Sequence, residues 1–305
     1  MSFLVEMSRG AYPSGALASF AADPQFSLDD ARAMMWMSQL AYETANRPKV
    51  ESILGAWNLT LRAFISNDPD TGLPPSSACA VVAGGRGATI VAFSGTDPLK
   101  IEDWITDFTI VKSAEDLDSG FQAAVARVWP TISAAIENRP ASEQALFFTG
   151  HSMGGALAII AAGQSSVKAT AVYTFGSPRT GGSLFVSSYT PKLGDATFRL
   201  IDGADVVPTL PPPLSGEYCH VGRAMQCPTD GVFGTQALLP PDNNIPDFVD
   251  DAVQSGLADF RAKALFRKIR SIGPRPLDAG AWLLPRMVRD HVPLSYFRAL
   301  AIELR

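Results

Sequence analysis

Two rhythms of apolar residues alternate along this chain. Short apolar runs bounded by glycine, proline or polar residues fit buried strands, and longer segments with apolar residues every three or four positions fit helices facing a core. The first helical pattern covers residues 29–42, with Ala31, Met34, Met35, Met37, Leu40 and Ala41 along it. Asp29 or Asp30 is placed to cap its start, and its methionines read as core filler. A second short helical piece opens at Pro48 and runs to Leu54. Leu59, Leu61, Phe64 and Ile65 suggest a strand, residues 68–75 a turn-rich loop, and residues 78–83 and 88–93 two further strands. Gly84, Gly85 and Gly87 join those two as a hairpin-like connection. Residues 120–137 predict an amphipathic helix built on Phe121, Val125, Val128, Trp129 and Ile132, with Pro130 as a point of kinking. Strands at 145–149, 169–175 and 197–201 and a helix at 153–164 follow. Strands alternating with helices argue for an α/β fold, a mostly parallel sheet with helices on both faces behind an N-terminal β edge.

The sharpest change of character falls within residues 145–158, ALFFTGHSMGGALA, where an apolar strand meets a small-residue helix at Ser152. Gly150 and Gly154, two residues to either side, allow the close backbone approach of a tight strand-to-helix turn. That elbow pushes the serine hydroxyl out at the strand's C-terminal edge, where the helix N-terminus and the Met153 amide face developing negative charge. Ser152 is therefore the candidate nucleophile, against the alternative of an incidental glycine-rich turn. A second informative segment, FSGTDPLKIEDWITD, begins at Phe93. Its Gly95 and Thr96 can turn an amide and a hydroxyl toward an oxyanion, or form an ordinary turn. Leu99, Ile101, Trp104 and Phe108 place large apolar groups in the connection that follows; they cover the site, contact an acyl chain, or pack against the domain.

A nucleophilic serine needs a base, and the chain has three histidines. His151 adjoins the serine and points poorly toward it. His220 lies in GEYCHVG, and His291 in RDHVPLSYF. In this architecture the chain order is serine, acid, histidine, which favours His291 and keeps His220 as the rival. Asp205 follows the strand at 197–201 in the loop DGADVVP, and Val206, Val207 and Pro208 can bury one side of its carboxylate. Asp202 and Asp195 are its competitors.

Composition narrows the picture. A hydrophobic content of 47 % over 305 residues suffices for a real core, in one large domain or two small ones. A net charge of -5, with no large basic cluster outside one late segment, argues against nucleic acid as a partner. Cys79, Cys219 and Cys227 form no metal-ligand pattern; Cys219 and Cys227 could close a short loop in an oxidising compartment, and unpaired thiols are the simpler reading. No apolar run reaches the ~18 residues of a membrane span. Glu6, Arg9, Pro13 and Gly15 interrupt any export signal, which predicts a cytoplasmic protein or export by a signal-independent route.

The motifs VAFSGTDPLKIEDWITDF, SGFQAAV, FTGHSMGGALA, YTFGSPRTG, FRLIDGADVVPTLPP followed by YCHVG, and DHVPLSYF stand in a fixed order. In that order they resemble the class 3 lipases, the fungal-type triacylglycerol lipase family of the α/β-hydrolase fold, from residue 56 to residue 297. The resemblance implies Ser152 as nucleophile, Asp205 as acid and His291 as base. It further implies an oxyanion hole of the Thr96 hydroxyl with the Thr96 and Met153 amides, and a lid within residues 97–108. It implies one α/β-hydrolase domain over residues 1–305 that hydrolyses carboxylic esters of aliphatic acyl chains as a triacylglycerol lipase. A short-chain carboxylesterase and a noncatalytic binding module are the alternatives. The chemistry requires no metal or organic cofactor, and the partners implied are a lipid or small ester substrate. Ser94 and Ser119 depart from the pattern, since many members carry arginine and histidine there. Residues 223–289 read as a helical insertion; within it, the basic amphipathic stretch 248–272 makes transient contact with a lipid surface or packs over the core.

Overall fold

The structure, a computed structural model, describes residues 6–43, 45–66, 78–96, 113, 115–211, 218–234 and 286–304. The apolar positions expected over the site, Leu99, Ile101, Trp104 and Phe108, lie outside the described residues, as does the basic stretch 248–272.

Seven strands form one sheet in sequence order: β1 (Thr60–Ile65), β2 (Ala80–Gly85), β3 (Ala88–Phe93), β4 (Ala145–His151), β5 (Ala171–Phe175), β6 (Thr197–Ile201) and β7 (Arg223–Gln226). β1, β2 and β3 pair antiparallel, and β3 to β7 run parallel. The β2–β3 hairpin turns at Arg86 and Gly87, both at positive φ (52° and 79°), the backbone a two-residue hairpin loop demands. Strand β7 replaces the start of the helical insertion expected from residue 223. Four residues are too few to show a period, and parallel pairing with β6 decides their conformation.

Right-handed crossovers between neighbouring parallel strands put their helices on one face. That face carries α3 (Ser119–Glu137), α4 (Met153–Gln164) and α5 (Ser183–Leu193), which pack against Val82, Val91, Leu146, Phe148 and Val172. The alternate side chains Val81, Ile90, Phe147, Tyr173 and Phe175 point to the opposite face. There α1 (Leu28–Leu40), α2 (Arg47–Ala56) and a C-terminal helix, Pro293–Ala299, cover them. Met34, Met35 and Met37 are buried in this second layer.

Capping sets the helix starts. Ser27, rather than Asp29 or Asp30, caps α1 by accepting the Asp30 amide at 2.9 Å; the Asp30 carboxylate instead accepts the Ala21 amide at 2.9 Å. Asp118 caps α3 through the Gly120 and Phe121 amides, both at 3.0 Å, and α3 continues past Pro130. Among the described residues no disulfide joins Cys219 to Cys227, and no helix is long and apolar enough to cross a membrane.

Candidate active site

The ends of β3, β4 and β5 meet at Ser152, which directly follows β4 and whose amide donates to the Phe175 carbonyl at 2.8 Å. The serine is the N-cap of α4, at φ 59° and ψ −133°. A non-glycine residue in that region costs about 1–3 kcal/mol, and the surrounding packing maintains it. A Cβ on Gly150 would stand 2.1 Å from the Gly154 carbonyl oxygen, and one on Gly154 would stand 2.4 Å from the carbonyl oxygen of Phe93. Two side-chain-free positions therefore let β4, α4 and the end of β3 meet at the elbow. A Cβ on Gly95 would lie 2.9 Å from that of Ser152, so the exit of β3 runs directly along the serine. Thr96 follows there, with its hydroxyl 3.6 Å from the Met153 sulfur. The Met153 amide opens α4, where first-turn amides lack intrahelical acceptors.

Asp205 sits buried in the loop after β6, and the three residues that follow it, Val206, Val207 and Pro208, are buried as well. Its carboxylate accepts the Val207 amide at 2.9 Å, the Tyr296 hydroxyl at 2.6 Å and His291 Nδ1 at 2.9 Å from both oxygens. An ionised carboxylate only accepts, so the His291 proton rests on Nδ1 and the Nε2 lone pair is left to act as base. Ser152 is 1 % exposed and His291 0 %. No hydrogen bond joins Ser152 Oγ to His291 Nε2; both atoms are buried without a partner among the described residues. Such contacts are often long before substrate binds.

The other two histidines are engaged elsewhere. His151 Nε2 donates to the His291 carbonyl at 2.7 Å, and its Nδ1 accepts the Tyr42 hydroxyl at 2.7 Å. Burial first, then the nearby His291, hold the His151 imidazole well below its ordinary pKa, hence neutral. His220 Nε2 donates to the Pro208 carbonyl at 2.8 Å. Of the carboxylate competitors, Asp195 is exposed. Asp202, 7 % exposed, is pushed up to about 8 by burial and by Asp290 and Asp205. It is protonated at neutral pH and cannot stabilise an imidazolium.

Sequence reasoning missed Tyr296 and Tyr42. Tyr296 stands five residues after His291 in a motif already singled out, and a buried tyrosine so close to a base must hydrogen-bond something polar. Tyr42 comes from α1's end, and no local signal connects it to His151. Among the described residues, no group of three or more His, Cys, Asp or Glu is placed to hold a metal ion.

Comparison with known proteins points to lipases. Residues 90–215 match the family described as lipase (class 3). The secreted mono- and diacylglycerol lipase 1 of Fusarium solani is 34 % identical over 145 residues, 44 % of this chain and 42 % of that protein. The secreted mono- and diacylglycerol lipase LIP1 of Malassezia globosa is 29 % identical over 175 residues, 53 % of this chain and 55 % of that protein. The chain thus spans about half the length of the curated relatives it matches. The crystal structure of the mono- and diacylglycerol lipase from Aspergillus oryzae superposes with a TM-score of 0.62 at 20 % identity, covering 78 % of this chain and 94 % of that one. This chain has the same α/β-hydrolase fold. The names of the two relatives also correct the cytoplasmic placement expected from residues 6–15: both are called secreted. Polar interruptions in one short segment are weak grounds against export.

Proposed function

We propose that this chain, which matches the lipase (class 3) family over residues 90–215, is a serine hydrolase of acylglycerols and related aliphatic esters, working outside the cell. Ser152 attacks the acyl carbonyl, and His291 takes the proton on Nε2 and returns it to the leaving alcohol. Asp205 holds the imidazole tautomer and balances the imidazolium. The Thr96 hydroxyl and the Thr96 and Met153 amides receive the tetrahedral oxyanion. One observation carries the reading: a histidine bonded through Nδ1 to a buried carboxylate, with Nε2 unpartnered among the described residues, in the same fold as a strained serine at a strand-to-helix elbow. The aliphatic preference rests on the family and on Leu99, Ile101, Trp104 and Phe108 in sequence.

Purified protein should turn over p-nitrophenyl esters, and Ser152→Ala should lose about 10⁴-fold or more in kcat. Undiminished turnover by that variant removes the assignment. Mono-, di- and triacylglycerols measured across their solubility limits then set the substrate. A rate that jumps at the emulsion identifies a lipase; a short-chain optimum without a jump identifies a carboxylesterase.

A further inference from the structure

Beside the loop that carries Asp205, two arginines are folded into the interior. Arg179, after β5, is 2 % exposed, and Arg199, on β6, is 3 % exposed. Arg179 Nη1 donates to the carbonyls of Thr209 and, at 2.8 Å, Pro211. Arg199 Nε donates to the carbonyl of Val221 at 2.9 Å. A guanidinium has five N–H donors. The Arg179 Nε is buried without a hydrogen-bond partner among the described residues.

Charge balance is the stronger anomaly. No carboxylate among the described residues pairs with either guanidinium. Burial pushes Arg179 down to about 10, and burial with the charge of Arg179 pushes Arg199 down to about 9. Both remain cationic at neutral pH, so two full positive charges lie close enough to repel each other inside the fold. His220, packed beside them, is held well below its ordinary pKa by burial and by both arginines. Backbone carbonyls carry partial charge only, whereas buried ions normally have a counter-ion.

We propose that Arg179 and Arg199 form a buried binding site for a small monovalent inorganic anion, chloride in kind. The near-complete burial of both side chains excludes a bulky organic acid. One anion leaves the pair with a single net charge, and the unpartnered Arg179 Nε–H supplies a donor for it. Because Arg179 also holds Thr209 and Pro211, the anion braces the segment that runs on from Asp205. The inference does not rest on the hydrolase reading, because its test measures stability and binding.

The test melts the full chain at constant ionic strength while sodium chloride replaces sodium gluconate. The expected result is a saturating rise in Tm of about 3 °C that disappears in Arg199→Met. Crystals grown in bromide should show an anomalous peak within hydrogen-bond distance of Arg179 Nε. A Tm indifferent to chloride, or a rise that survives Arg199→Met, overturns the proposal. Should that variant not fold, the bromide experiment on the parent protein decides alone, and the absence of a peak overturns it.

Discussion

Gly176→Ala adds one methyl group and removes no reacting group, which makes it a sharp probe of the site. Gly176 directly follows β5 at φ 58°, and a Cβ there would stand 2.5 Å from Asp205 Oδ2, 2.9 Å from the Tyr296 hydroxyl and 3.0 Å from His291 Cε1. The left-handed backbone costs alanine about 1–2 kcal/mol. Relief of the contacts adds about 1–3 kcal/mol, because the Asp205 carboxylate is held by three donors and cannot swing away freely. The expected loss of stability is therefore about 2–5 kcal/mol by urea unfolding. Ordinary van der Waals contact requires the carboxylate to retreat by roughly 1 Å, which breaks its 2.9 Å contacts with His291. A displacement of that size lowers kcat about 100-fold on p-nitrophenyl butyrate, with KM little changed. A variant within about 0.5 kcal/mol of the parent and equal in kcat would refute the placement of Gly176 against the triad.

Tyr296→Phe removes the donor at 2.6 Å from Asp205 and the acceptor of the Asp202 amide at 3.2 Å. A charge-assisted bond of about 1.5–3 kcal/mol is lost, so the unfolding free energy should drop by that amount and kcat by about tenfold; an unchanged kcat would show that the phenol does not steady the acid. Asp202 titrates at about 8 in the fold against 3.8 when exposed, so the unfolded chain loses its proton first. The ionised form is the disfavoured one, and stability on this account falls as pH rises from about 4 to about 8. Asp202→Asn has no proton to lose; its Tm should match the parent near pH 4 and exceed it increasingly up to pH 8, whereas parallel Tm profiles would disprove the shift.

Strand β3 and β6 and the helix from Met153 were legible to the residue, because apolar runs or small-residue spacing were bounded by glycine and polar residues. Helix α5 escaped. Its Phe185, Tyr189 and Leu193 do fall at i, i+4 and i+8, but Pro191 and the serines around them blur the pattern. Strand β7 escaped because its conformation comes from pairing with β6, a contact no local window contains. The elbow was readable because strand, serine, two glycines and helix lie within one continuous segment. The cap of α1 was misplaced by two or three residues because Asp29, Asp30 and Ser27 are all competent acceptors. Which one turns toward the helix amides depended on Asp30 being drawn to the Ala21 amide instead.

The three histidines show what a sequence order can and cannot decide. They are chemically identical, and all three are buried. What separates them is the partner on one ring nitrogen. At His291 that partner is a carboxylate, which fixes the proton on Nδ1, leaves Nε2 to accept another and balances the charge formed when it does. At His151 the donated proton goes to a carbonyl and the other nitrogen is spent on Tyr42, so protonation would create a buried charge with nothing to offset it. At His220 the donated proton also goes to a carbonyl, and the arginines nearby make a third positive charge costlier still. Chain order selected His291 because it reflects where the C-terminal segment returns to the sheet edge. It could not show that the same return places the His291 carbonyl against His151. The serine's own neighbour thereby positions the backbone of the base, and a residue excluded from proton transfer gains a place in the geometry that permits it.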